Sequence, residues 1–207
     1  MGEMTPLPAA FYRRPAQEVA HDLIGRFLVR RLDGGRAVLR IVETEAYLGE
    51  VDRASHAWGG RRTGRTAALY RGGGRAYVYF VYGMHHMLNA VTGDSSDGTA
   101  VLLRAGEPLE GREAMARRRA LSDRILAGQV AGGPAKLCEA LAVDLGLNGS
   151  PLQRGPLTIT QGRPARPGRI VTGTRVGVAY AAEHALWPLR FAEEGNREVS
   201  RPWPWRS

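Results

Sequence analysis

The chain has 207 residues, enough for one well-buried domain and too few to expect two. Its 43% hydrophobic and 24% charged residues are those of an ordinary globular protein, and no apolar stretch is long enough to span a bilayer, so no membrane partner is expected. A formal net charge of +9, from 29 Lys+Arg against 20 Asp+Glu, favours a polyanionic partner, although solubility or an arginine-rich codon usage accounts for the same excess.

Residues 1–10 carry neither a basic start nor a long apolar run, so no secretory signal is expected and the expected location is the cytoplasm. A helix is predicted from Pro15, with Val19, Ala20, Leu23 and Ile24 on one face and Gly25 at its end. A strand at 27–32, a hairpin turn at Asp33-Gly34-Gly35 and a returning strand at 36–43 follow. Residues 52–71 are polar and rich in Gly and Arg, which predicts loops with short helical turns. The run A-Y-V-Y-F-V-Y at 76–82 is a strong strand signal. Gly83 and Met84 turn it into a strand at 86–91, and a further turn at 93–98 leads into a strand at 100–104.

Helices are expected over 111–126 and 134–143, and strands at 157–160, 170–179 and 188–191. Segments 1–10 and 193–207 read as irregular tails of a single domain over 1–207. The fold class is α+β: a mostly antiparallel, curved sheet with flanking helices and a protruding β-hairpin. Cys138 is the only cysteine, which excludes an internal disulfide and Cys-rich zinc motifs, and Lys136 is the only lysine.

Chemistry first shows at I-V-E-T-E-A-Y-L-G, where an apolar strand runs into Glu43 and Glu45. Residues two apart on a strand share a face, so both carboxylates point the same way, about 7 Å apart. Salt bridges to nearby arginines would account for them, and so would catalysis. Tyr47, His56 and the set Tyr77, Tyr79 and Tyr82 are compatible with ordinary loop and strand packing when taken singly. Tyr79 and Tyr82 are an odd number of residues apart, which places them on opposite faces of a continuous strand.

Taken together, I-V-E-T-E-A-Y-L-G, His56, Y-V-Y-F-V-Y-G-M, Asn89 and A-V-L-L-R-A-G-E-P-L-E-G closely resemble the alkyladenine (3-methyladenine) DNA glycosylase family, in its bacterial form. G-P-A-K-L-C at 133–138, R-G-P-L at 154–157, R-V-G-V at 175–178 and P-L-R-F at 188–191 extend the resemblance in order over residues 10–192. It implies a base excision repair enzyme that flips an alkylated or deaminated purine from double-stranded DNA, from the minor-groove side, and hydrolyses its N-glycosidic bond. Glu45 would be the general base that activates water, and Arg104 would hold the backbone phosphate and that water. Tyr47, His56 and Tyr79 would wall the base pocket, with Asn89 at its floor excluding the guanine amino group. Tyr82 and Met84, at the hairpin turn, would form the DNA wedge.

No lysine stands among these site residues, so Schiff-base chemistry is not expected and the strand is left with an abasic site. The resemblance calls for no metal and no cofactor, and implies a monomer. Two other readings fit parts of the pattern: a non-catalytic module that binds damaged DNA or structured RNA, and an N-glycosidase acting on free nucleosides. The first has no use for Glu45, and the second has none for the arginine excess or the wedge.

Overall fold

A computed structural model describes residues 4–32, 34–121, 128–162 and 169–203. After a short turn of helix, α1 (Ala9–Tyr12), the amphipathic segment forms α2 (Ala16–Leu23), which buries Ala16, Val19, Ala20 and Leu23. Gly25, at φ 87, takes the chain out into β1 (Phe27–Leu32). β1 pairs antiparallel with β2 (Gly35–Tyr47) from Leu32↔Gly35 to Phe27↔Arg40; within the predicted turn, Asp33 lies outside the described residues. β2 runs four residues past the predicted end at Glu43.

The loop that follows contains a 3-10 turn at Gly49–Val51 and then two more, Trp58–Gly60 and Ala67–Tyr70, as expected for 52–71. β3 (Ala76–Val81), β4 (His85–Thr92) and β5 (Thr99–Glu110) then form an antiparallel meander. Its first turn projects: Tyr82 is 80% and Met84 69% exposed. The helix predicted at 111–126 is only α3 (Arg112–Arg118) within the described residues, broken at Ala120 with φ 48; residues 122–127 lie outside them. α4 (Pro134–Ala140) starts on its proline and stops before Ala142, also at φ 48.

β6 (Leu157–Thr160) pairs with β1, and β7 (Ile170–Gly173) with β8 (Arg190–Glu193). The strand expected over 170–179 therefore ends at Gly173. Beyond it the chain passes Arg175 and Val176 and enters a 3-10 segment, Ala179–Leu186. Beyond the end of β8 at Glu193 the described residues to 203 hold no helix or strand, yet they are packed against the sheet. Val199 and Ser200 are buried, Val199 against Val42, Ala105 and Ala192.

The strand order is β3-β4-β5-β2-β1-β6, with β8 also paired to β2. β2 is the central strand: it pairs with β5 along one edge, and with β1 and then β8 along the other. Leu39 and Ile41 face the main core with Leu23, Leu28, Leu103 and Leu137. By strict alternation Glu43 and Glu45 would follow them into that apolar layer. A β-bulge prevents this: Ile41 pairs with Gly106 and Glu43 with Ala105, so one residue is extra on β2. Past the bulge it is Thr44 and Ala46 that face the core, where the Thr44 hydroxyl donates to the Ala20 carbonyl of α2 at 2.8 Å. Glu45 and Tyr47 turn to the other face.

Candidate active site

One row of residues crosses that other face. Tyr77 pairs with Asn89, Asn89 with Leu102, Leu102 with Glu45, and Glu45 with Arg190. Directly opposed residues share a face, so the row places Tyr77 and Glu45 three strand spacings apart, about 15 Å. Over the row lies a cavity of about 310 Å³, within the range of ligand pockets. Tyr47, His56, Tyr79, Asn89 and Arg104 all line it, and Tyr82 stands at its rim. Met84 does not reach it and faces α4 beside His85 and His86.

Glu45 is fully buried behind this lining. Its Oε1 accepts the Val176 N–H at 2.8 Å and lies 3.2 Å from Arg104 Nη1, and its Oε2 accepts the Tyr47 hydroxyl at 2.9 Å. Val176 and Tyr47 donate hydrogen bonds and Arg104 adds an ion pair, and a carboxylate has about four lone-pair directions, so at least one remains for a further donor such as water. Burial first, then the adjacent Glu45 charge, pushes the Tyr47 phenol well above its ordinary value, so it keeps its proton. Arg104 is 5% exposed, and its guanidinium is spent on protein: Nε donates to Glu43 at 2.7 Å and Nη2 to the Ser200 hydroxyl at 3.0 Å. Burial opposes its charge, but Glu45 and Glu43 outweigh that and hold it more firmly protonated than a free arginine.

The aromatic wall is a packed set of rings. His56 meets Tyr79 edge-on at 4.6 Å between centroids, and Tyr77 and Tyr79 lie 5.4 Å apart. His56 Nδ1 pairs with the Tyr77 hydroxyl at 2.8 Å. Burial pushes that phenol up to about 12, against the opposing pull of the nearby Arg65 charge. Asn89 donates to the Tyr77 carbonyl at 3.1 Å, which fixes its amide at the cavity floor.

Burial, reinforced by Arg65 and Arg61, lowers the His56 pKa to about 4. An unfolded histidine takes up its proton near 6.5. Between those values the unfolded chain binds more protons, so stability is complete above about pH 6.5 and is lost as pH falls toward 4. The expected result is that melting temperature drops from pH 6.5 to pH 4, and that His56→Gln drops less over the same interval. Parallel melting curves for the two proteins would show that His56 is charged at pH 6 in the native state, contrary to this.

Several participants carried no distinctive mark in the sequence. Val176 falls in the R-V-G-V motif, but only the structure brings its amide to Glu45. Arg65 stacks over Tyr79 at 5.1 Å from an otherwise featureless arginine-rich loop. Asp52 and Arg175 form a fully buried pair under Tyr47, with Nη1 2.5 Å from Oδ2 and Nη2 2.9 Å from Oδ1. Among the described residues no group of three His, Cys, Asp or Glu side chains is arranged to hold a metal ion, and no helix is long and apolar enough to cross a membrane.

Comparison with known proteins matches one family along nearly the whole chain. The family model described as Methylpurine-DNA glycosylase (MPG) matches residues 10–197. A Methanocella arvoryzae protein named "Putative 3-methyladenine DNA glycosylase" is 45% identical over 202 residues, covering 97% of this chain and 98% of its own length. A Desulfitobacterium hafniense protein of the same name is 42% identical, with 95% and 99% covered. The human DNA-3-methyladenine glycosylase is 41% identical over 214 residues, covering 96% of this chain and 69% of the human one. With the family matched from residue 10 to residue 197 and relatives this similar along their length, the chain belongs to the methylpurine-DNA glycosylase family.

Proposed function

We propose that the cavity receives an alkylated purine flipped from duplex DNA and that Glu45 activates the water that displaces it. As a member of its family the enzyme is a DNA glycosylase of base excision repair that acts on alkylated purines. The observation that carries the residue assignment is the coordination of Glu45. Tyr47, Arg104 and Val176 all line the cavity; Tyr47 and Val176 donate hydrogen bonds to the carboxylate behind them and Arg104 forms an ion pair with it. In the reaction Glu45 accepts a proton from water, the water oxygen bonds to C1′ of the sugar, and the C1′–N bond breaks. Its electron pair returns to the base, which for a methylated cationic purine neutralises the charge, so little acid catalysis is required. Arg104, with Nε and Nη2 committed to Glu43 and Ser200, acts here on Glu45 and its water; a phosphate contact would have to displace those partners.

The aromatic wall supports preference for a cationic base. A cation over the face of Tyr79 or Tyr47 gains about 0.5–2 kcal/mol. Arg65 already covers Tyr79 and Arg175 lies 4.8 Å from the centre of the Tyr47 ring, so an incoming base competes with Arg65 for its place. Asn89, fixed by the Tyr77 carbonyl, excludes a base with an amino group at that edge.

Tyr82 supports the flipping step. At φ 56 it has already left the strand, so strand alternation does not govern it; the turn itself presents the ring to solvent at the cavity rim. Insertion into the duplex from the minor-groove side replaces the stacking lost by the extruded base, a cost of a few kcal/mol. The enzyme works as a monomer on this reading, since every group used comes from one chain. The test is base release from duplex oligonucleotides carrying 3-methyladenine or hypoxanthine, with strand breaks scored before and after alkali. Release with breaks only after alkali is expected, and Tyr82→Ala should slow it about tenfold or more by weakening flipping. Binding of damaged duplex with no release would leave a damage-sensing module instead.

A further inference from the structure

Glu43 is completely buried, does not line the cavity and has no part in the steps derived above. Yet it accepts the Nε of Arg104 and of Arg190, each at 2.7 Å, together with the hydroxyl and the N–H of Ser200 at 2.9 and 2.7 Å. Ser200 lies 155 residues beyond Glu45, on the segment that follows the last strand. That segment is fastened from both sides. Arg190 donates to the carbonyls of Ser200 at 2.8 Å and Pro202 at 2.7 Å, and Val199 is packed under the sheet.

Ser200 does more than close the segment down. Its hydroxyl donates to Glu43 and, through a lone pair, accepts from Arg104 Nη2 at 3.0 Å. The guanidinium of Arg104 is planar, so fixing Nε on Glu43 and Nη2 on Ser200 also fixes the direction of Nη1. That third nitrogen is the one 3.2 Å from Glu45 Oε1. We infer that Ser200 is a positioning residue for base excision: with Glu43 it locks the plane of Arg104, and through Arg104 it sets the Glu45 carboxylate at the angle its water requires. The inference rests on the reading of Glu45 as the general base. Without the Ser200 hydroxyl, Nη2 loses its acceptor. The easiest recovery is for Arg104 to turn onto Glu43 with two parallel hydrogen bonds, the arrangement arginine and carboxylate prefer, and this draws Nη1 away from Glu45. A shift of about 1 Å in a catalytic group can cost up to about 100-fold in rate.

The experiment compares wild type, Ser200→Ala, Ser200→Thr and Glu45→Gln in single-turnover base release from a 3-methyladenine duplex. Binding of the same duplex is measured alongside, at a temperature where circular dichroism shows each protein folded. Ser200→Ala keeps the backbone N–H on Glu43 and is expected to fold. Its single-turnover rate should fall about 10- to 100-fold, with duplex affinity little changed, and Ser200→Thr, which keeps the hydroxyl, should recover most of the rate. A rate for Ser200→Ala equal to wild type, beside an inactive Glu45→Gln, would overturn the positioning role and leave the general base standing. Rate and affinity falling together, with no recovery in Ser200→Thr, would also overturn it and reduce Ser200 to a structural fastening. Full activity in Glu45→Gln would instead remove the reading of Glu45 on which the inference rests.

Discussion

Glu45→Gln is expected to lower base release by about 10²- to 10⁴-fold, the usual contribution of a positioned general base, while damaged duplex is still bound. The amide has the shape of the carboxylate and can keep its neighbours. Its oxygen faces the Val176 N–H and Arg104, and its NH2 faces the Tyr47 hydroxyl, which can accept. What it cannot do is take a proton from water. Thermal stability should fall as well, because Arg104 and Arg190 then face only the charge of Glu43. Base release measured beside circular dichroism separates the outcomes. Loss of release in a folded protein supports the base, whereas loss of the fold would make Glu45 chiefly the partner of a buried arginine.

Much of this arrangement could be read from residue order, and the reasons for the rest are physical. The helix at Ala16–Leu23 and the strands β1, β3 and β6 follow directly from apolar period and turn residues. The two carboxylates of E-T-E were correctly placed on one face, but for an incomplete reason. Alternation from Leu39 and Ile41 would have put that face in the core, and the bulge beside Glu43 reverses it. A bulge of this kind leaves no mark in composition, since neither Val42 nor Glu43 is a glycine. Strand endings failed for a related reason. The 170–179 stretch is apolar enough for a strand, but Arg175 is drawn out of the sheet to meet Asp52, and the backbone follows it. That the segment after β8 is fastened was not legible, because a few polar residues, Ser200 above all, are bound by long-range partners 96 and 157 positions away. Local pattern carries no information about such contacts.

The largest loss of stability is expected at Asp52. Its carboxylate is fully buried and meets Arg175 with two hydrogen bonds, while Oδ2 accepts the Leu48 N–H and Oδ1 the Ala54 N–H, each at 3.0 Å. Arg175 uses its remaining reach on the Ala46 and His184 carbonyls, each at 3.0 Å. One pair thus ties the end of β2 and the loop carrying Ser55 and His56 to the segment that delivers the Val176 amide. Asp52→Ala leaves a guanidinium in the interior with no charge opposite and two loop amides without their acceptor. A broken buried pair costs about 3–5 kcal/mol, which for a chain of this size lowers the melting temperature by roughly 10 °C or more. Replacing both partners, as Asp52→Leu with Arg175→Met, removes the stranded charge and should cost less than Asp52→Ala alone. If the double variant is instead the less stable of the two, the pair contributes net stability beyond its desolvation cost. Base release should fall in both, because the Val176 amide and the His56 loop lose a common anchor whether or not a charge is left behind.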